Sequence, residues 1–402
     1  MNVSNYPKTT MDTKTQIVYF LGAGASAQAI PVIDGLRPRI YDLIKFLESY
    51  QVHHLNEDAI KHFPDLLKNN QDLLNHVIDE LEWLYEDSEY HQTIDTFAKK
   101  LYLQDSALLF KLKRALITYF YFEQSIPFYA SELNPDSESH SGTYDTILDK
   151  RYDNLIASLA FKENGQIKLK GHIKIVTWNY DLQIELALKN YIDDSINNLK
   201  EKFNIHPSAK SYVNLIVEDD QSNNNFAVYK LNGNAFLDPF LEEGLGSRKT
   251  PHDSTHLETG NLILIGNYLD TYKKVFPDYK NYIGNTGVTK IFNFAWESDG
   301  ITSLKYPGHK SVLEGAKSAF RNANILIIIG YSFPFFNLEI DKQLFENCWP
   351  SQIIIQDFNP EIILERIYAL VPKFKGPFSK DNPEIEITFM QPDKYFPIHP
   401  HT

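Results

Sequence analysis

The sequence predicts an α/β fold: a doubly wound, mostly parallel, Rossmann-like sheet that carries a helical insertion domain. Three observations predict it. Short runs rich in Ile and Val, too brief for helices, alternate with helical stretches, as buried strands covered on both faces require. One such run, 16–21, stops at Gly22-Ala23-Gly24-Ala25-Ser26 and gives way to helical sequence; strand, glycine loop, helix is the order of a nucleotide-binding unit. From about 51 to 161 the apolar spacing is almost wholly helical.

Taken in order, residues 1–14 are polar and expected to be disordered. In the loop after the first strand, Gly22 lets the chain turn and Gly24 removes the Cβ that would hold a phosphate away. Ser26 adds a hydroxyl. Residues 36–50 read as a helix, with Ile40, Leu43, Ile44 and Leu47 opposite Asp42 and Glu48. A dehydrogenase would instead place a second strand there, ending in a ribose-binding acid, so that class is disfavoured. Helical spacing recurs at 72–84 and 108–120, and a polar loop at 134–142 punctuates the block. Strand-like runs return at 173–177, 227–231, 262–265, 325–329, 353–356 and 385–389. Helical stretches lie at 181–191, 311–321, 338–346 and 360–370, and the polar segment 241–260 is expected to be a mobile loop. The organisation is therefore 15–50 and 166–402 as the Rossmann-like domain, with 51–165 inserted as helices.

Composition narrows the function classes. At 402 residues and 43% hydrophobic, the chain suits one large domain with an insertion. Its single cysteine, Cys348, excludes an internal disulfide and a four-cysteine zinc site. No metal-ligand spacing stands out, so no zinc is expected. No apolar run approaches a membrane span and residues 1–15 lack a signal-peptide apolar region, so a cytoplasmic protein without membrane contact is expected. A formal net charge of −13 argues against direct nucleic-acid binding.

In doubly wound sheets ligands sit beyond the carboxyl ends of the strands. Here those ends read Gly22-Ala23-Gly24-Ala25-Ser26, Thr177-Trp178-Asn179-Tyr180-Asp181, Leu231-Asn232-Gly233-Asn234, Gly330-Tyr331-Ser332-Phe333-Pro334 and Asp357-Phe358-Asn359-Pro360. Each is small or polar where a core would want neither. A single one reads as a turn or a helix cap; together on one edge they read as a site.

These motifs resemble the sirtuin-like NAD-binding family, specifically its bacterial branch of NAD⁺-consuming antiphage-defence effectors. The resemblance rests on GAGAS at 22–26 with Ile30-Pro31 after it, TWNYD at 177–181, KLNG at 230–233 and GYSFP at 330–334. It implies that Gly22, Ala23, Gly24, Ala25 and Ser26 hold the NAD⁺ pyrophosphate, with Pro31 and Thr177 at the same pocket. Gly330, Ser332 and Asn359 would serve the adenosine half, Asn179 the nicotinamide ribose, and Asp181 would support that pocket.

Breaking the nicotinamide–ribose bond generates oxocarbenium character, which a nearby carboxylate such as Asp181 can stabilise while Asn179 orients a water or ribose hydroxyl. The sequence departs from the family where active members carry a catalytic histidine: this chain has Asn232. A carboxamide cannot act as a general base, and losing a base commonly costs roughly 10²–10⁴ in rate. Three readings stay open: hydrolysis without histidine, a catalytically silent NAD⁺ or ADP-ribose sensor or regulatory subunit, and an inactivated Asn232 variant of an enzyme. Deacylating sirtuins carry a zinc module of two cysteine pairs, which Cys348 alone cannot build, so the expectation is an NAD⁺ glycohydrolase that depletes NAD⁺ in defence. The resemblance further implies a homo-oligomer, or control by a partner ATPase or Argonaute-type protein.

Overall fold

A computed structural model describes residues 15–31, 33–51, 68–91, 93–125, 148–208, 225–235, 254–278, 292, 294–297, 307–375 and 384–399. The expected disordered start, 1–14, and the polar loop, 134–142, lie outside them. In chain order come β1 (Ile17–Leu21), α1 (Ile33–Glu48), α2 (Gln71–Ser88), α3 (Ile94–Gln104), α4 (Ser106–Glu123) and α5 (Lys150–Leu159). Then follow β2 (Ala160–Glu163), β3 (Gln166–Leu169), β4 (Ile173–Thr177), α6 (Gln183–Lys189), α7 (Ile196–Lys202), β5 (Ile205–His206) and β6 (Ala227–Lys230). The chain closes with α8 (Ser254–Val275), α9 (Pro307–Arg321), β7 (Ile325–Ile329), α10 (Leu338–Phe345), β8 (Gln352–Gln356), α11 (Pro360–Leu370) and β9 (Glu386–Met390).

Seven strands form one sheet in the order β5-β6-β4-β1-β7-β8-β9, and every pairing in it is parallel. The predicted doubly wound α/β fold is the observed one. β1 is buried along its whole length because both faces are covered. Ile17, Tyr19 and Leu21 join a core with Tyr152 and Leu155 of α5 and Ala187 of α6. Val18 and Phe20 join the opposite core, with Phe320 of α9, Leu344 of α10 and Ile367 of α11. Period-2 alternation thus feeds two apolar layers from one strand.

A third core joins α1, α2, α3, α4 and α8. Helix α4 is its centre: residues 112–123 are all buried, so the helix is covered all round. Its charges are neutralised in place. Lys113 pairs with Glu297 at 2.7 Å, Arg114 with Glu80, and Glu123 with Arg39 of α1 at 2.7 Å. Such pairs add little net stability over apolar packing, but losing one partner strands a buried charge.

Some expectations are corrected. The run 262–265 is not a strand; it lies inside the 22-residue helix α8. A short apolar run is ambiguous locally, and the buried Leu264, Ile265, Tyr268, Leu269 and Tyr272 make the longer period helical. The expected loop 241–260 likewise ends in this helix, which begins at Ser254; residues 241–253 lie outside the described ones. Phe161 belongs to β2, in an antiparallel hairpin with β3. Asn164 and Gly165 turn it with φ of 51° and 78°, the backbone that an Asn-Gly hairpin pair favours.

The order of strands positions the site. From β1 the chain passes to β4, goes on to the edge strand β5 and steps back to β6 between β5 and β4, then crosses to the other side of β1 and continues through β7, β8 and β9. The direction reverses beside β1, and the carboxyl ends of β1, β4 and β7 therefore border the crevice where such sheets bind ligands.

Candidate functional site

A cavity of about 270 Å³ opens at that crevice. Ala23 and Ser26 line it from the β1 loop, Asn179 and Asp181 from the β4 end, Asn232 from the β6 end, and Gly330 and Ser332 from the β7 turn; Pro31 also reaches it.

Ser26 is the hub. Its Oγ donates to Asp181 Oδ2 at 2.7 Å and accepts from Asn179 Nδ2 at 3.1 Å. The Tyr152 hydroxyl lies 3.1 Å from the same oxygen. Asn179 Nδ2 also donates to the Gly22 carbonyl at 2.9 Å. A carbonyl only accepts, so this bond fixes the amide's orientation. Asn179 Oδ1 then has no hydrogen-bond donor among the described residues, and it belongs to a side chain that lines the cavity. Thr177 is buried and does not line the cavity; its Oγ1 accepts the Asn179 N–H at 2.9 Å, bending the chain as β4 ends.

Asp181 is buried, and its second oxygen accepts the Gln183 N–H at 3.1 Å, at the first residue of α6. Burial raises its pKa, against the pull of Lys230 and the Ser26 hydrogen bond. Lys230 itself is held by Glu185 at 2.6 Å and by the Asp181 carbonyl at 2.6 Å. Asn232 is buried and donates to the Trp178 carbonyl at 3.1 Å.

The glycines are explained by chain packing. A Cβ on Gly24 would stand 2.8 Å from Gly330 Cα, and one on Gly22 would stand 2.6 Å from the Gly330 carbonyl oxygen. The room that the sequence reading reserves for a phosphate beside Gly24 is occupied by the β7 turn. The loop's amides are also engaged: Gly22 N–H donates to Ile329, Gly24 N–H to Gly330 and Ala25 N–H to Gly22 carbonyls, at 3.0, 3.0 and 2.9 Å. From behind, Arg151 donates to the Gly24 and Ala25 carbonyls while paired with Asp149 at 2.6 Å. Gly22, Gly24 and Ala25 thus shape the site without lining it. Asn359 does not line the cavity either; it is exposed ahead of α11, with its N–H bound to Asp357 Oδ1 at 3.0 Å.

Sequence reasoning missed the opposite wall. Arg37 of α1, Ser88 at the end of α2, His91, Thr93 and Asp95 at the start of α3, and Phe120 of α4 all line the same cavity. Burial pushes the Asp95 carboxyl up to about 6, partly offset by its own backbone N–H. Burial lowers the pKa of His91, with a smaller push from Lys100. The Thr93 cap, whose Oγ1 accepts the Thr96 N–H at 3.0 Å, is the one local signal in this wall; nothing local says that α3 starts at a cavity. Beneath the floor, Asp341 accepts from Tyr331 Oη at 2.7 Å and Trp178 Nε1 at 3.2 Å, and burial raises it to about 8.

Chemically, the arrangement offers an open amide oxygen, a buried carboxylate, a carboxamide and a separate partly buried carboxylate around one enclosed space. Among the described residues no group of three or more His, Cys, Asp or Glu could hold a metal ion, and no helix is long and apolar enough to cross a membrane. No protein-family model matches the chain, and no curated protein matches it in sequence.

Proposed function

We propose that the chain is an NAD⁺ glycohydrolase, cleaving NAD⁺ to nicotinamide and ADP-ribose. The observation that carries this reading is the Ser26–Asn179–Asp181 network, drawn from two separate strand ends onto one cavity at the sheet's reversal point. The resemblance of the motifs at 22–26, 177–181 and 330–334 to the sirtuin-like family supports the choice of NAD⁺. At about 270 Å³ the enclosed space falls just below the roughly 300–1,000 Å³ typical of ligand pockets. It suits the nicotinamide–ribose end, with the pyrophosphate and adenosine running along the rim at Ala23, Gly330 and Ser332.

In this reading Asn179 Oδ1 accepts a ribose hydroxyl or the attacking water, and Asp181 holds Ser26 and stabilises positive charge developing on the ribose. Depletion of NAD⁺ by such an enzyme fits a defence effector, working as a homo-oligomer or under a partner ATPase or Argonaute-type protein. A second reading, a silent NAD⁺ or ADP-ribose sensor, is favoured by Asn232, which offers no titratable group. Chromatography of NAD⁺ incubated with wild type, Asn179→Ala and Asn232→His separates the two. The enzyme reading expects nicotinamide from wild type, little from Asn179→Ala, and more from Asn232→His. NAD⁺ binding with no nicotinamide from wild type or Asn232→His would leave the sensor.

A further inference from the structure

Resting on the glycohydrolase reading, we propose that Asp95, presented by the first turn of α3, is the general base of this site in place of the group that position 232 lacks. Asp95 lines the cavity together with Asn179, Asp181 and Asn232. The Thr93 cap and the packing of α3 on α4 and on the turn Phe335–Asn337 fix it there. Its carboxylate is in no ion pair among the described residues and is engaged by its own backbone N–H.

The other candidates are occupied. Asp181 already accepts from Ser26 and from the Gln183 N–H, one bond on each oxygen. His91 lies flat on Phe97, centroids 4.6 Å apart, and its charged neighbours are Lys100 and Asp87. Asp95 instead acts electrostatically on Tyr180 and Tyr331, the residues beside Asn179 and Gly330.

Among the described residues, the ionisable groups around Asp95 are few. Arg37 on α1, His91, Tyr180, Asp181 and Tyr331 share its cavity. On α4, Lys113, Arg114 and Glu123 are paired with Glu297, Glu80 and Arg39, and Asp341 of α10 is bound by Tyr331 and Trp178. Burial among these groups holds the Asp95 carboxyl near 6, close to the operating pH where a base works best.

The step balances with NAD⁺ and water. The water oxygen bonds to the anomeric carbon as its proton passes to Asp95. The carbon–nitrogen bond breaks with its electron pair on the nicotinamide nitrogen, and neutral nicotinamide leaves. ADP-ribose remains, and Asp95 returns the proton to solvent.

The test uses the full chain as wild type, Asp95→Asn, Asp95→Glu and His91→Asn. Nicotinamide release is followed from pH 5 to 8, and NAD⁺ affinity by calorimetry. Wild type is expected to lose activity below about pH 6. Asp95→Asn is expected to turn over roughly 10²–10⁴-fold slower with NAD⁺ affinity within about threefold, and without that acid limb. Asp95→Glu should recover part of the rate and keep the limb. An Asp95→Asn rate within about threefold of wild type, or a limb that vanishes in His91→Asn and persists in Asp95→Asn, overturns the assignment while leaving the glycohydrolase standing. Wild type that binds NAD⁺ and releases no nicotinamide at any pH overturns both.

Discussion

Replacing Gly330 by alanine tests why the site's backbone is built from glycines. Gly330 sits at φ 57°, and its Cβ would stand 2.5 Å from Gly24 Cα and carbonyl carbon and 2.6 Å from Ala25 N. All three neighbours are backbone, so no side chain can swing aside. The left-handed conformation alone costs an alanine about 1–2 kcal/mol. Relieving the overlap adds about 1–3 kcal/mol of overpacking strain. Separating the loops would also weaken the 3.0 Å bond from Gly24 N–H to the Gly330 carbonyl, worth about 0.5–1.5 kcal/mol. The expected loss is about 2.5–6.5 kcal/mol, read as a lower urea midpoint at unchanged m-value. Gly165→Ala is the control: φ is 78° but nothing lies within 4 Å of its Cβ, so only the conformational cost of about 1 kcal/mol is expected. Equal losses from the two variants would refute the close-approach reasoning and return the glycines to a purely ligand-facing role.

Glu80→Ala leaves Arg114 buried without its carboxylate partner and removes the acceptor of Tyr272 Oη at 2.8 Å; a loss of about 3–5 kcal/mol is expected in denaturant unfolding. Lys230→Met strands Glu185 beneath the site and is expected to lower stability by a similar amount, about 3–5 kcal/mol. Asp341 has a folded pKa of about 8, raised from the ordinary carboxylate value by burial. The native state therefore holds a proton that the unfolded chain has released, and stability falls as pH rises from about 4 to about 8. Asp341→Asn should flatten that part of the pH–stability curve; an unchanged slope would remove Asp341 as its source.

Much of the fold is legible locally. β1, β4, β7 and β8 are buried on both faces, so their sequences are short runs dominated by Ile, Val and Leu, broken inside only by Lys174 of β4. The strand-end motifs are legible for the complementary reason: small and polar residues stand where a core would reject them. β5 is only two residues long and leaves no period to read. The run 262–265 misleads because α8 is buried against α2 and α4, which makes one turn of it look like a strand. Asp95 is invisible in sequence, one acid in the first turn of an ordinary amphipathic helix.

What the sequence by itself determined is the parallel α/β sheet, the edge on which a ligand would sit, and the polar residues offered along that edge. These follow from backbone period and side-chain polarity, which act between neighbours in the chain. Only the tertiary structure decided that Gly24 makes room for Gly330, that Ser26 joins Asn179 to Asp181, and that helices α1 to α4 close the cavity with Asp95 among its walls. Close approach, hydrogen-bond partnership and desolvation depend on which distant segments meet, and no local pattern encodes that meeting.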